Sequence, residues 1–321
     1  MPAHSTAVSG VPPTAVIAFE AIGTAWQIDI DEELSAERQA ALLTKIMERI
    51  EAFDRTYSRF HDDSTVMELW RQSRQPGCRG DNPVVIGFPE DAGPMLDVYR
   101  KLYDATNGAF TPLIGQVMSD AGYDATYSLV SKPLTKPPSW DDVLSVSPPS
   151  PFKGEGRGEV YVSVSRPVLL DFGAAGKGYL VDLVAEIVVS FGIASFCVDA
   201  GGDIVCRGSE PTRVGLENPL ATDEAIGIAT IQNASICGSA GNRRAWGEFH
   251  HTIDPRTLTS PRHVLATWAI ASTALVADAL ATCLFLVPAD DLKTVYTFDY
   301  VVLFADGTVE RSPSAPVELF T

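Results

Sequence analysis

The sequence has few basic side chains for its length. Lys and Arg together number 24 among 321 residues, whereas Asp and Glu number 41, so the formal net charge is −17. Proteins that bind a nucleic-acid backbone or an anionic membrane surface use clustered Lys and Arg. The charge therefore argues against both classes of partner, and we expect no nucleic acid. A small anionic ligand could still be held locally by backbone amides, one lysine or a metal ion.

Cysteine is also scarce, and no two cysteines are spaced as CxxC. Their odd number and wide spacing indicate neither a zinc ribbon nor a disulfide framework. We therefore expect buried free thiols, as in a reducing compartment. The five positions are Cys78, Cys197, Cys206, Cys237 and Cys283.

A secretory leader is not evident in residues 1–15. This stretch has no basic start, no continuous apolar run and no early cysteine for a lipid anchor. It predicts a flexible N-terminal tail and a cytoplasmic protein, with a periplasmic location left open if the sequence has been trimmed.

One apolar segment, residues 264–287, is long enough to span a bilayer. Its single charged residue, Asp278, would cost about 2.5–3.5 kcal/mol at the centre of a membrane. Ala, Thr and Ser also dilute its apolar character. We therefore predict no membrane span, but a buried strand over 267–272 followed by a buried helix over 275–286.

Strands and helices are mixed along the chain without a regular βαβ rhythm, which predicts an α+β fold. Residues 16–321 are expected to form one domain. Its Pro- and Gly-rich stretch 131–159 is predicted to be an exposed insertion with a poorly ordered tip, in which 140–146 docks locally. The expected helices cover 33–57, 92–106 and 176–191. The expected strands cover 19–30, which the turn-like Gly23 opens, two parts of 159–172, 195–199, 203–207, 213–217, 225–232 and 300–304.

A glycine-rich segment, LLDFGAAGKGYLVD, spans residues 169–182. It predicts a strand that ends at Asp171, a tight turn, and a helix that begins near Gly176. Free amides at a helix N-terminus bind anions, and Lys177 would add a positive charge. The segment is not a P-loop, because Gly178 follows the lysine where Ser or Thr is required. An ordinary strand-to-helix turn is an equally good interpretation of this segment alone.

Asp278 and Thr282 are four residues apart in the predicted apolar helix, so they share one face. A carboxylate in apolar surroundings needs a cation or several hydrogen bonds. Two hard oxygens one turn apart suit Mg²⁺, which takes few protein ligands. The alternative is a carboxylate that caps a neighbouring strand or loop.

The segment FHHTIDPR contains adjacent histidines, His250 and His251, which point in different directions in extended chain. One of them could be a general base, although each alone is more often structural. A zinc site that also used His263 would lack HExxH spacing, and we do not expect it. The loops at 57–64 and 106–115 carry aromatic side chains that could stack on a planar ligand or simply pack.

Taken in order, these motifs resemble the ApbE family, the FAD:protein FMN transferases. The resemblance rests on IGTAW, YSRFHDDS, TNGAFTP, DFGAAGKGY, DAGGD, HTIDP and ADALAT, and covers nearly the whole chain. It implies an α+β fold with antiparallel-rich sheets and packed helices. It further implies an enzyme that uses Mg²⁺ to split FAD, attaches FMN to a Thr or Ser hydroxyl of an acceptor flavoprotein, and releases AMP.

The resemblance also implies roles for residues that match the family motifs. His251 would be the general base. The metal ligands would be the Ala174 carbonyl, Asp278 and Thr282. Contacts with FAD would be made by Ile22, Phe60, Ala109, Phe110, Thr111, Lys177 and Ile253.

Three positions depart from the family pattern. Thr111 replaces the acid of GAFD, Asn242 replaces the acid of a TSGD-like stretch, and Phe60 stands where Tyr is frequent. None of them is a predicted metal ligand. Two other functions remain open on the sequence: an FAD pyrophosphatase, in which water replaces the acceptor hydroxyl, and a flavin-binding protein without catalysis.

Overall fold

The computed structural model describes residues 7–9, 13–147 and 159–320. The helices are α1 Ala36–Tyr57, α2 Thr65–Ser73, α3 Ala92–Ala105, α4 Gly115–Asp120, α5 Trp140–Val143, α6 Gly176–Ser190, α7 Ala274–Cys283 and α8 Ala289–Leu292, with a 3-10 helix at Pro112–Ile114. The strands are β1 Ala7–Ser9, β2 Ala15–Ala21, β3 Thr24–Ile30, β4 Val84–Pro89, β5 Leu144–Ser147, β6 Glu159–Val164, β7 Phe196–Asp199, β8 Asp203–Arg207, β9 Thr212–Asn218, β10 Ala221–Ile231, β11 Ser235–Ala240, β12 Ala245–Trp246, β13 Phe249–His250, β14 Val264–Ala271, β15 Asp299–Phe304, β16 Val309–Arg311 and β17 Val317–Leu319.

The largest sheet is antiparallel and has the strand order β16-β15-β14-β11-β8-β7-β3-β2. Both faces of this sheet are covered. In strand β14, for example, successive side chains point to opposite faces and pack into different cores. Trp268 and Ile270 pack toward the smaller sheet β1-β9-β10-β17. Ala269 and Ala271 belong to the main core, which α1, α6 and α7 complete. The predicted α+β fold with antiparallel sheets is confirmed.

Helix α1 shows how sequence pattern becomes packing. The Ser35 side chain caps the helix by accepting a hydrogen bond from the amide of Arg38. The buried face repeats at helical spacing and packs into the main core. Its buried residues are Leu42, Ile46, Ile50, Phe53 and Tyr57.

Two predicted elements differ from the structure. Residues 19–30 belong to a hairpin of β2 and β3, because Ile22 and Gly23 adopt left-handed φ angles of 44° and 73° and reverse the chain. Residues 159–172 contain one strand, β6, whereas 165–172 lie outside any strand. Both errors have one cause: alternation predicts extended chain but does not locate its turns.

The expectation that every cysteine is free is wrong. Cys197 and Cys206 form a disulfide, since the antiparallel pairing of β7 and β8 places them directly opposite each other with a Cα–Cα distance of 4.2 Å. Cys78, Cys237 and Cys283 are free. Sequence spacing could not reveal the pair because it depends on hairpin register.

Residues 264–287 form strand β14 and helix α7, close to the predicted bounds. Across the described ranges, no helix is long and apolar enough to cross a membrane. In the insertion, Trp140 is buried and β5 pairs with β6, while residues 148–158 lie outside the described residues. The predicted N-terminal tail is described only in part, and Ala7–Ser9 pairs with β9 as strand β1.

Candidate active site

A cleft of about 1210 Å³ opens beside the N-terminus of α6. Residues that the sequence separates widely meet in it, and all eleven predicted site residues line its wall. They are Ile22, Phe60, Ala109, Phe110, Thr111, Ala174, Lys177, His251, Ile253, Asp278 and Thr282.

Lys177 lies in the first turn of α6 and is held by the β7–β8 hairpin. Its Nζ is 2.5 Å from Oδ2 of Asp203 and donates to the Ala200 carbonyl at 3.2 Å. Burial lowers the pKa of Lys177, but the carboxylates of Asp203 and Asp278 outweigh it and raise the pKa. The side chain is therefore a fixed cation on the cleft wall.

The three predicted metal ligands lie where α6 meets α7. Thr282 Oγ1 is 3.4 Å from the Ala174 carbonyl oxygen, and Asp278 is one helical turn earlier. Oδ2 of Asp278 accepts a hydrogen bond from the Gly178 amide at 2.8 Å, so the carboxylate also caps a helix, α6, and not the strand or loop of the alternative interpretation. Burial, and then repulsion from Asp203, raises the pKa of Asp278 well above its ordinary value.

The donor set fits a hard divalent cation. Asp203 and Asp278 are almost completely buried, and the one ammonium group that acts on both, that of Lys177, is paired with Asp203, which leaves negative charge uncompensated when both carboxylates are ionised. A hydroxyl and a carbonyl oxygen lie beside them, and oxygen donors are those that Mg²⁺ prefers. The described residues contain no cluster of three or more His, Cys, Asp or Glu side chains that could hold a metal. An ion here would therefore depend on the neutral oxygens as well.

The two adjacent histidines have different environments. His250 Nδ1 accepts from the Thr252 amide at 3.2 Å and its Nε2 lies 2.8 Å from the Pro261 carbonyl oxygen, so its ring is tied to backbone. His251 lines the cleft, and its buried Nδ1 has no hydrogen-bond partner within the described ranges. Burial, followed by the charges of His250 and Arg244, lowers the pKa of His251 to about 3. Its imidazole is therefore neutral at ordinary pH.

Of the two aromatic residues predicted to contact FAD, Phe110 packs in the core and Phe60 is accessible from the cleft. Phe110 is buried and stacks on Tyr99 with ring centroids 4.7 Å apart, as an aromatic packed under a loop would. Phe60 is partly exposed and lies parallel to Tyr127, with centroids 5.4 Å apart and an interplanar angle of 3°. Tyr123 meets Phe60 edge-on. The aromatic wall of the cleft is thus built around Phe60.

Several residues in the cleft or in contact with its lining were not predicted as site residues from the sequence. Asp203 lies in the DAGGD motif and Arg59 in the YSRFHDDS motif, so the sequence marks both segments but assigns no role to these two side chains. Tyr127 carried no signal, because it lies in a polar loop without periodicity. Their places at the site depend on the fold: Arg59 and Tyr127 line the cleft, and Asp203 pairs with Lys177.

Comparison with known proteins places the chain in a family. The ApbE family model matches residues 22–301. Among curated relatives, the FAD:protein FMN transferase of Salmonella typhimurium is 25% identical over 306 residues, covering 91% of this chain and 84% of its own. That of Haemophilus influenzae is 27% identical over 251 residues, covering 72% and 71%.

Solved structures show the same fold. The ApbE protein from Thermotoga maritima superposes with a TM-score of 0.75 at 21% identity, covering 94% of this chain and 97% of its own. The flavin transferase ApbE from Vibrio cholerae gives 0.70 at 19% identity, covering 96% and 97%. Because the family model spans most of the sequence, the chain belongs to the ApbE family.

Proposed function

We propose that the chain is a Mg²⁺-dependent FAD:protein FMN transferase. The acceptor is a flavoprotein with a reactive Thr or Ser hydroxyl. The observation that carries the proposal is the convergence of a fixed lysine, a set of hard oxygens and a neutral histidine in one cleft. The activity named for the curated relatives agrees with it.

In the proposed reaction, the acceptor oxygen attacks the FMN phosphorus of FAD. The bond from that phosphorus to the bridging oxygen breaks, and AMP leaves with this oxygen. His251 takes the proton of the attacking hydroxyl, which its neutral imidazole can accept. Atoms balance without an oxidant or a further reactant.

The other site residues bind and orient the substrate. Lys177 would hold the diphosphate, and Phe60, Ile22 and Ile253 would contact the flavin. The Ala174 carbonyl, Asp278 and Thr282 would hold Mg²⁺. When bound, this ion would neutralise the diphosphate and stabilise charge on the leaving phosphate.

The direct test is FAD turnover with Mg²⁺, with and without an acceptor peptide that carries Thr in a flavinylation motif. We expect the peptide to gain the mass of one FMN as AMP appears, and chelation with EDTA to stop both. Free FMN and AMP in both reactions would instead indicate a pyrophosphatase. Bound, intact FAD in both would indicate a carrier.

Replacing His251 with glutamine is expected to lower kcat by about 10²–10⁴-fold, the usual contribution of a general base. An ordinary histidine loses its basic form as the pH falls through 6.5. The pKa of His251 is lowered to about 3, so the wild-type rate should not follow histidine protonation between pH 7 and 5. A pH–rate profile measures this.

His250→Gln is the matched control for the histidine experiment. His250 is tied to backbone on both ring nitrogens, so we expect a lower melting temperature and a kcat within a few-fold of wild type. If the two variants lost activity equally, His251 would not be the base.

A further inference from the structure

Arg59 occupies a position that the proposed reaction does not yet use. Its side chain is only 3% exposed, and its Nε lies 2.5 Å from Oδ2 of Asp171. The guanidinium carbon is 4.2 Å from the ring centroid of Phe60 and 5.1 Å from that of Tyr123. One buried cation thus supports the aromatic wall of the cleft.

Its partner Asp171 connects two other parts of the cleft. Oδ1 of Asp171 accepts from the Gly173 amide at 2.7 Å, which shapes the turn that presents the Ala174 carbonyl. The Asp171 amide donates to the Pro112 carbonyl at 2.8 Å, which fixes the end of the Ala109–Thr111 wall. The ion pair therefore joins the aromatic wall to the glycine-rich turn, and the backbone of Asp171 anchors both to the segment that follows the 109–111 wall.

Stability alone is a poor explanation for this ion pair. Desolvation of two charges offsets much of their attraction, so a buried pair often stabilises no more than apolar side chains would. Arg59 also leaves Nη2 buried without a hydrogen-bond partner among the residues described. A buried donor without a partner destabilises the folded chain. The arrangement is better explained by the geometry that it imposes on the cleft.

We propose that Arg59 and Asp171 are positioning residues for FAD. Their ion pair fixes the position of the Phe60 ring relative to the turn that carries Ala174 and leads to Lys177. The flavin and diphosphate parts of one substrate can then be bound together. This inference rests on the proposed function, since it assumes that FAD occupies the cleft.

Three variants change the ion pair in different ways. Arg59→Gln removes the charge. Arg59→Lys keeps the charge but loses the planar group that spans the ring and the carboxylate. Asp171→Asn keeps an oxygen for the Gly173 amide and removes only the ionic partner. Arg49→Gln is the matched control, because it breaks the partly buried pair of Arg49 with Asp91, and neither residue lines the cleft.

Two measurements on the full chain test the proposal: hydrogen–deuterium exchange of the amides in 171–177, and FAD affinity by flavin fluorescence. For Arg59→Gln we expect the turn amides to exchange faster and the Kd for FAD to rise by at least about tenfold, the loss of one charge-assisted contact. Asp171→Asn should change the exchange rate and the Kd in the same direction. For Arg59→Lys both quantities should lie between those of these two variants and those of wild type. Arg49→Gln should leave both quantities unchanged.

The exchange measurement keeps this inference separate from the proposed function. Unchanged exchange in Arg59→Gln, or an equal change in Arg49→Gln, would overturn the positioning role even if the enzyme transfers FMN. Faster exchange with unchanged FAD affinity would overturn the link to the substrate. If wild type bound no FAD, the proposed function and its substrate link would both fail, and exchange would still show whether the pair orders the turn.

Discussion

Gly178→Ala is expected to disrupt the junction of α6 and α7 at the metal site. A Cβ on residue 178 would lie 2.2 Å from the Ala274 carbonyl oxygen and 2.5 Å from Cβ of Asp278. Neither neighbour is the end of a flexible side chain, so the two helices must separate. Overpacking of this kind costs about 1–3 kcal/mol. The melting temperature should fall by about 1.5 °C for each kcal/mol, because an unfolding entropy of about 2.1 cal/mol/K per residue is summed over 321 residues.

The same substitution should damage activity more than stability, because the Gly178 amide also donates to Oδ2 of Asp278. Moving the helices apart displaces both Asp278 and Thr282 from the Ala174 carbonyl, which lies just before α6. Gly93→Ala in α3 is the matched control: its added Cβ would be 3.8 Å from Val160, an ordinary contact. We expect that variant to be as stable as wild type or more so, since alanine favours helix. Thermal melts and FAD turnover compare the two, and similar melting temperatures would contradict the packing argument.

The sequence predicts this fold well where one face of an element is buried. In α1 the apolar residues recur at helical spacing, and the helix forms almost as expected. In β14 and α7 the end of one element and the start of the next are marked by a short polar turn. The sequence pattern does not predict a chain reversal that depends on the φ angles of one or two residues. Gly23 is turn-like in the sequence, but the alternation on either side of it does not show that two strands pair there as a hairpin.

The site shows the same division between local and long-range information. Asp278 and Thr282 are related by helix geometry, so their shared face could be deduced from four-residue spacing. The approach of Thr282 to Ala174 spans 108 positions and requires the packed α6–α7 pair. Asp203 also needed the fold, because only the β7–β8 hairpin brings it to Lys177. Motif resemblance located most of the cleft, but ion pairs between motifs required the structure.

Asp278→Asn is expected to abolish turnover without unfolding the chain. Asparagine keeps the shape of the side chain and an oxygen for the Gly178 amide. Burial and Asp203 already disfavour the charged carboxylate, so losing the charge should not lower the melting temperature. The variant does lose the only ionisable group among the three predicted metal ligands. Metal ions supply several kcal/mol to such reactions, and each 1.36 kcal/mol is tenfold in rate, so we expect at least about a 10³-fold loss.

Asp182→Asn is the matched control, and we expect it to lose stability but keep its activity. Asp182 lies outside the cleft lining and caps α7, where its two oxygens accept from the Ala274 and Leu275 amides at 2.8 Å each. An amide can satisfy only one of these donors, so the variant should lose about 0.5–2 kcal/mol of stability. Below its melting temperature it should still turn over FAD. Melting curves and Mg²⁺-dependent AMP release therefore separate a carboxylate that holds the reaction site from one that holds the helix. Equal activity losses in the two variants would mean that Asp278 acts through folding alone.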